Sequence, residues 1–138
     1  MVEVASPFGF KPGSRMALTN LRSINNKIAE FALFLEDYKP FIFCVIETWL
    51  TKDDPDSLFL PRGYSACRWD RETRGGGVAL IIREDVVFKL IQIPNQFKHI
   101  EVVCIDIRLN TTPCRIIAYY RSGGFDMEAH QYAIDSIE

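Results

Sequence analysis

A run of six apolar residues, Phe41 to Ile46, leads directly to the charged residue Glu47. Several of the six are β-branched or aromatic, and such a run predicts a strand that is buried on both faces. Ligands of open α/β sheets bind beyond the carboxyl ends of the strands. We therefore expect Glu47 to take part in chemistry, the alternative being that it only marks the point where the strand leaves the core.

The segment before this strand predicts a β-α-β unit. Met16 to Thr19 form a short apolar strand that leads to Asn20, and apolar residues recur at helical spacing from Asn25 to Asp37. Two strands that are joined through a helix are normally parallel neighbours with a right-handed crossover. Asn20 and Glu47 are therefore expected at the same edge of the sheet.

The pattern after Glu47 is typical of strands joined by turns. Apolar or alternating segments predict strands at Tyr64 to Arg68, Val78 to Ile82, Val86 to Ile93, Ile100 to Leu109 and Cys114 to Tyr120. Gly75, Gly76 and Gly77 lie in the connection between the first two, where we expect them to give the backbone conformational freedom. Met127 to Glu138 have helical spacing. These elements predict an α/β fold with a mixed sheet and flanking helices.

The composition is that of an ordinary soluble globular domain, with 48% apolar and 25% charged residues. No apolar run approaches the roughly 18 residues of a membrane-spanning helix, so no membrane partner is expected. We expect residues 1–15, which are rich in Pro and Gly, to be a flexible leader, and residues 16–138 to form the domain. The net charge of −2 gives no global field that attracts nucleic acid, so DNA binding would rest on a local patch or a bound cation.

The four cysteines show no Cys-x-x-Cys spacing. We expect them to be reduced thiols that behave as small apolar residues, without a role in metal binding or disulfide formation. The amino terminus has no signal-peptide pattern, so an intracellular location is expected.

Arg68, Trp69, Arg71 and Arg74 form a compact basic and aromatic group in the connection between two strands. Arginines of such a group can bind phosphates while the aromatic ring contacts a base or a sugar. A hairpin tip that is merely solvated often carries arginines as well. The pattern alone leaves both interpretations open.

Three polar side chains, those of Asn20, Glu47 and Tyr120, are expected at strand ends. A carboxylate can bind Mg²⁺, a carboxamide can orient that carboxylate or a phosphate, and a tyrosine hydroxyl can donate to a phosphate oxygen. A bound Mg²⁺ would polarise a phosphoryl oxygen and stabilise the leaving group of a phosphodiester. The three residues therefore predict a metal-phosphate site, with Glu47 as the metal ligand.

Several segments resemble, in order and spacing, the endonuclease/exonuclease/phosphatase superfamily, and within it the apurinic-type endonuclease domain of non-LTR, LINE-like retrotransposons of the jockey group. These segments are Leu18 to Ser23, Asn26-Lys27, Ile46 to Leu50, Arg74 to Ala79, and Tyr119 to Arg121. The likeness covers the chain from Ala17 to its end. The Glu-Thr-Trp-Leu segment and the glycine-rich hairpin are specific when they occur together.

The resemblance implies a partial four-layer α/β sandwich and Mg²⁺-dependent cleavage of a DNA strand, with Mn²⁺ as an alternative ion. It also implies that the nick primes reverse transcription by the reverse transcriptase of a full-length parent, in the nucleus. Asn20 resembles the asparagine of the first motif, Glu47 the metal-binding glutamate, and Tyr120 the tyrosine that contacts the scissile phosphate. The residues expected to contact DNA are Arg22, Arg68, Trp69, Arg71, Arg74 and Arg121.

The chain departs from the family pattern in two ways. The family tyrosine is followed by Arg-Pro-Pro, whereas Tyr120 is followed by Arg-Ser-Gly. The later Gly-Asp-x-Asn and Ser-Asp-His motifs have no counterpart, and neither His99 nor His130 matches the catalytic histidine. We therefore interpret residues 16–138 as the amino-terminal part of such a domain, with its carboxyl-terminal part missing, and expect little or no nuclease activity from this chain alone.

This interpretation predicts that one sheet of a two-sheet sandwich exposes an apolar face that the missing half should cover. Two alternatives remain open at the level of sequence. One is a phosphatase-type member of the superfamily that acts on a phosphoinositide or another phosphomonoester. The other is a non-catalytic remnant that binds DNA or a partner, or has no function.

Overall fold

The computed structural model describes residues 2–4, 15–121 and 135, with backbone only for 2–4. The helix expected at Met127 to Glu138 lies outside the described residues, apart from Asp135, which is helical.

In the described part of the chain, the first sheet is mixed and has five strands in the order β1-β2-β3-β5-β4. Strands β2 and β3 are parallel, and the other neighbouring pairs are antiparallel. The strands are β1 (Val2–Val4), β2 (Met16–Asn20), β3 (Ile42–Ile46), β4 (Tyr64–Trp69) and β5 (Val78–Arg83). The β-α-β unit and the β4–β5 hairpin are thus confirmed.

Helix α1, Ile28–Tyr38, connects the two parallel strands and buries Phe31 and Leu35 against the first sheet. It begins three residues later than the expected start at Asn25. The backbone before it is held elsewhere, because the Ile24 N–H donates to the Thr48 carbonyl at 2.9 Å. Lys39, in the left-handed conformation, ends the helix.

Three residues of the expected leader form strand β1. Val2–Val4 pair with β2 in an antiparallel ladder, with Glu3 opposite Ala17. Backbone hydrogen bonds therefore place these three residues at the edge of the first sheet. Residues 5–14 of the expected leader lie outside the described part of the chain.

The described residues supply three antiparallel strands to the second sheet, in the order β6-β7-β8. They are β6 (Phe88–Leu90), β7 (Glu101–Leu109) and β8 (Thr112–Tyr120). Strand β6 is shorter than the expected Val86 to Ile93, because a turn closed by the Val86 N–H and the Arg83 carbonyl precedes it and Pro94 begins a 3₁₀ turn soon after it.

The core has separate apolar layers on the two faces of β3. Phe43 and Val45 pack towards α1, whereas Ile42 packs with Val103 and Ile105 of the second sheet. The expectation of a strand buried on both faces is confirmed. The expected uncovered apolar face is not found on the facing sides of the two sheets, because the described chain supplies strands to both sheets and those sides pack together.

No helix in the described ranges is long and apolar enough to span a membrane. All four cysteines are unpaired. Burial raises the pKa of the Cys44 thiol to about 12, and it also raises the pKa values of Cys67 and Cys104. Cys67 and Cys104 are buried, whereas Cys44 and Cys114 are each partly exposed.

These differences predict selective alkylation of the folded chain at pH 8. Thiolates are the reactive form, so iodoacetamide should modify Cys114 first, while Cys44, Cys67 and Cys104 react at least about tenfold more slowly. Peptide mapping by mass spectrometry over time measures the four rates. In denaturant all four should react at similar rates, and fast modification of Cys44 in the folded chain would contradict the packing between the two sheets.

Candidate active site

Two of the predicted site residues, Asn20 and Glu47, end the parallel strands β2 and β3 at one edge of the first sheet. Asn20 lies opposite Ile46 in the register, and its side chain is exposed. The pairing continues past both strands, because the Leu21 N–H donates to the Ile46 carbonyl and the Ser23 N–H to the Glu47 carbonyl. The sequence prediction that the two residues share an edge is confirmed.

The backbone after β3 takes an unusual path. Glu47 and Trp49 both have left-handed conformations, with φ of 55° and 57°. Such values cost a non-glycine residue about 1–2 kcal/mol each, and they persist only where the surroundings fix them. Here hydrogen bonds hold the segment on both sides, since Thr48 O accepts from Ile24 and the Trp49 N–H donates to Gly76 O at 2.9 Å. We call residues 47–49 the Glu47 turn.

Tyr120 reaches the Glu47 turn from the second sheet. Its hydroxyl donates a hydrogen bond to Glu47 Oε1 at 2.6 Å. This bond and burial raise the pKa of the Tyr120 hydroxyl, so the group keeps its proton and acts as a donor at neutral pH. The two sheets therefore meet at this site through a pair of side chains that sequence analysis placed together.

The second carboxylate oxygen of Glu47, Oε2, is buried and has no hydrogen-bond partner among the described residues. The nearest cation recorded is Arg22 Nε at 3.8 Å, which is too far for a hydrogen bond, and the Arg22 side chain is 80% exposed. A buried carboxylate oxygen that lacks a donor is costly, and a cation would satisfy it. Glu47 is therefore suited to bind a metal ion.

The described residues contain no cluster of three or more His, Cys, Asp or Glu side chains that could hold a metal. Mg²⁺ does not require one, because it is commonly held by one or two carboxylates while waters and phosphate oxygens complete its shell. Glu47 thus fits Mg²⁺ as a single protein ligand.

The members of the predicted basic and aromatic group lie in different surroundings. The guanidinium of Arg68 donates to Asp70, Asp56 and backbone carbonyls of residues 51 and 54, and its side chain is only 13% exposed. The Trp69 indole N–H donates to the Lys98 carbonyl at 2.9 Å. These contacts fix loops onto the sheets, and they lend no support to the prediction that Arg68 and Trp69 contact DNA.

The other predicted DNA-contacting arginines lie elsewhere. Arg74 is exposed, with its guanidinium 5.4 Å from the centre of the Trp49 ring, so it stands beside the Glu47 turn. Arg71 donates to Glu101 Oε2 at 2.8 Å. Arg121 follows Tyr120, and its Nη1 is buried without a hydrogen-bond partner among the described residues. Together with Arg22, Arg74 is thus an exposed cation at the rim of the site.

Sequence analysis missed Glu101, a buried charged residue close to the site. Its Oε1 accepts the Gly77 N–H at 2.7 Å, its Oε2 accepts from Arg71, and its side chain is 6% exposed. It lies directly opposite Tyr120 in the β7–β8 register. The signal was present in the alternation of β7, because counting back by two from Ile105 puts Glu101 on the apolar face.

The hairpin glycines leave no room for side chains. Gly76 and Gly77 have φ of 59° and 95°. A Cβ on Gly76 would overlap the Glu101 carboxylate and the Arg71 guanidinium, and a Cβ on Gly77 would overlap Thr48 Oγ1. The predicted freedom of the backbone is confirmed, and close approach to the Glu47 turn is a second reason for these glycines.

Residues 17–137 match the model of the "Endonuclease/Exonuclease/phosphatase family". The match covers most of the chain, and the chain therefore belongs to this family. The elements and the two packed sheets described above agree with that assignment. A search of the curated proteins gave no significant match.

Solved structures share the fold. The endonuclease domain of TRAS1, a telomere-specific non-LTR retrotransposon, has a TM-score of 0.67 at 19% identity over 91% of this chain and 54% of that one. An AP endonuclease from Archaeoglobus fulgidus has a TM-score of 0.53 at 23% identity over 88% of this chain and 47% of that one. The 3′ phosphatase NExo from Neisseria, bound to product DNA hairpin, has a TM-score of 0.53 at 22% identity over 87% of this chain and 47% of that one. The chain thus spans about half the length of these structures.

The close packing at Gly77 generates a prediction that has a matched control in Gly63. Both glycines have nearly the same φ, 95° and 92°, but a Cβ on Gly63 would meet nothing nearer than the Glu84 carboxyl at 3.8 Å. Gly63→Ala should lower the free energy of unfolding by about 1–2 kcal/mol through backbone strain alone. Gly77→Ala should add an overpacking cost of about 1–3 kcal/mol. Urea unfolding of both variants measures the difference, and equal losses would contradict the contact with Thr48.

Proposed function

We propose that this chain is part of a Mg²⁺-dependent DNA endonuclease of a non-LTR retrotransposon, which nicks target DNA in the nucleus so that the nick primes reverse transcription. The observation that carries the proposal is the pairing of Glu47 with Tyr120, which leaves one buried carboxylate oxygen available to a cation. Membership of the family supports a phosphoester hydrolase as the general class.

In the proposed mechanism, a Mg²⁺ ion held by Glu47, with Mn²⁺ as an alternative, would polarise a phosphoryl oxygen and offset the charge of the leaving group. The Tyr120 hydroxyl donates its one proton to Glu47 Oε1 in this structure. We propose that it would donate instead to an oxygen of the scissile phosphate when a cation binds the glutamate carboxylate. Asn20, exposed at the same edge, is proposed to orient the phosphate through its carboxamide. Each of these three side chains would thus bind or polarise the substrate.

DNA is the proposed substrate because exposed cations lie at the rim of the Glu47 turn. Arg22 is close to the Glu47 carboxylate, and Arg74 lies over the Trp49 ring. A duplex or a single strand offers a row of phosphates to such cations, and the Trp49 ring gives a surface on which a base or a sugar can pack. A phosphomonoester needs only a single phosphate pocket, so spread cations favour a polymer.

This chain alone is proposed to have little or no nuclease activity. It contains neither a Gly-Asp-x-Asn nor a Ser-Asp-His segment. The first of these would position the attacking water, and the second would supply the acid-base histidine in the family pattern. The loss of each general acid or base typically costs a factor of about 10²–10⁴ in rate. The missing carboxyl-terminal half and a reverse transcriptase are the proposed partners within a full-length parent.

Nicking of supercoiled plasmid tests both the low activity of this chain and the role of Glu47. The purified chain with MgCl₂ or MnCl₂ should relax plasmid no faster than the Glu47→Gln variant, because the water-activating groups are absent. Adding residues that carry the two missing motifs, as a carboxyl-terminal extension taken from the TRAS1 endonuclease domain, should restore nicking that Glu47→Gln abolishes.

Two results would contradict the proposal. Robust Mg²⁺-dependent nicking by the unextended chain, lost in Glu47→Gln, would show that the chain alone is active. Nicking by a folded extended protein that is unchanged in Glu47→Gln would remove Glu47 from the metal site. Circular dichroism of each variant establishes that it is folded.

DNA binding by the unextended chain separates a polymer substrate from a phosphomonoester. Fluorescence anisotropy with a labelled duplex should show affinity that falls as salt rises, because phosphate contacts release counterions. Arg22→Gln and Arg74→Gln should each reduce the slope of log K against log salt by about 1. Arg108→Gln is the control, since Arg108 is an exposed cation on β7 that bonds the Thr111 carbonyl. An equal effect of all three would indicate only general charge attraction.

A further inference from the structure

Glu101 is the only charged residue among the buried side chains of the described residues. Burial of a carboxylate is costly unless it is paired and hydrogen-bonded, and Glu101 is both. One oxygen accepts the Gly77 N–H at 2.7 Å and the other accepts from Arg71 at 2.8 Å. Nothing in the metal-phosphate site described above uses this residue, although it lies opposite Tyr120.

The contacts of Glu101 join the two sheets. Glu101 belongs to β7 of the second sheet, whereas Gly77 and Arg71 belong to the β4–β5 connection of the first. The same connection holds the Glu47 turn, because the Gly76 carbonyl accepts the Trp49 N–H. A continuous set of hydrogen bonds therefore runs from the second sheet through the glycine hairpin to the backbone that places Glu47.

We propose that Glu101 is a positioning residue, which fixes the glycine hairpin and thereby holds the Glu47 turn at the distance that Tyr120 requires. The proposal rests on the proposed function only in that Glu47 is taken as the metal ligand. Glu101 itself touches neither Glu47 nor a substrate in this arrangement. Its effect passes through the Gly77 amide and the Arg71 guanidinium.

Hydrophobic packing between the sheets is not sufficient to fix the distance between Glu47 and Tyr120. Apolar contacts are non-directional, so they allow small sliding movements, whereas hydrogen bonds to a charged group fix direction and distance. Glu47 follows β3 of the first sheet, and Tyr120 ends β8 of the second. A shift of about 1 Å between reacting groups can cost a factor of about 10² in rate.

The test uses amide hydrogen exchange measured by NMR on the intact chain. In Glu101→Gln, the Gly77 amide loses a charged acceptor, and the amides of Gly77 and Trp49 should exchange about 10-fold to 100-fold faster, the effect of losing a charge-assisted hydrogen bond. Amides in the centre of β3 and β5 should keep their wild-type rates. An increase of the same factor at all amides would mean general destabilisation and would overturn the proposal.

The matched control is Asp106→Asn. Asp106 lies on the same strand and pairs with Arg115 of β8 in the same carboxylate-guanidinium manner, at 2.6 Å, but on the opposite face. The substitution Asp106→Asn should leave the exchange rates of the Gly77 and Trp49 amides unchanged. If Asp106→Asn accelerates these two amides as much as Glu101→Gln does, the effect is not specific to Glu101 and the proposal fails.

Arg71 gives an independent variant if Glu101→Gln does not fold. Arg71→Gln removes the partner of Glu101 Oε2 and should accelerate the same two amides, while Arg71→Lys, which keeps a cation, should restore part of the protection. In the double variant with Glu101→Gln, the accelerations should be less than multiplicative, because both changes break one contact. Independent, multiplicative effects would overturn the joint role.

A second readout separates the positioning role from the metal site. Titration with MnCl₂ should broaden the amide signals of the Glu47 turn, and Glu101→Gln should shift the midpoint to at least about threefold higher Mn²⁺, while Asp106→Asn should not. Absence of broadening in the wild-type chain would count against Glu47 as a metal ligand, and hence against the proposed function. The exchange rates would still decide whether Glu101 positions the turn.

Discussion

Strand β3 packs on both of its faces, and this double burial determines where the chemistry can lie. Phe43 and Val45 face the helix, and Ile42 faces the second sheet. Full burial of each such side chain is worth about 1.5–3 kcal/mol, so the register of the strand is strongly fixed. The first polar side chain after the strand, that of Glu47, is then held at a defined point of the sheet edge.

The Glu47 turn fixes the backbone from which the Glu47 carboxylate extends. Its two left-handed residues would be unfavourable in isolation, and backbone hydrogen bonds from two other segments compensate for them. The glycine hairpin can approach closely because it lacks side chains at Gly76 and Gly77. The backbone that carries Glu47 is thus fixed by the fold itself, and binding of a cation there, as proposed, would spend little free energy on ordering it.

Local pattern was sufficient to predict most of the fold. The six apolar residues before Glu47 and the helical spacing before them predicted the parallel strands and their crossover. The glycine-rich connection predicted the hairpin. The start of the helix was misplaced because tertiary hydrogen bonds to Thr48 override the local preference of residues 25–27. The pairing of Val2–Val4 with β2 was missed because a three-residue strand next to a Pro- and Gly-rich segment has no periodicity to detect.

The site was predicted less completely, for a physical reason. Strand ends can be placed from sequence, and the contact of Tyr120 with Glu47 followed from them. The partners of long charged side chains depend on three-dimensional neighbours, so sequence grouped Arg68 with Arg74 although the first is enclosed by Asp56 and Asp70 and the second is exposed. Glu101 was overlooked because a glutamate at a strand start is normally solvated.

The position of Glu101 follows from the division of the site between two sheets. When the interacting groups lie on separate sheets, their distance depends on how the sheets are seated on each other, and an apolar interface allows several nearly equivalent arrangements. A buried carboxylate with two directed partners favours one arrangement of the two sheets, because a shift of one sheet on the other would leave the buried charge unpaired. Its desolvation is a cost to stability that the fold bears opposite Tyr120, where alignment of the sheets would affect the proposed chemistry. The same cost elsewhere between the sheets would give no such advantage, and a cluster of apolar side chains, among them Ile42, Val103 and Ile105, packs there instead.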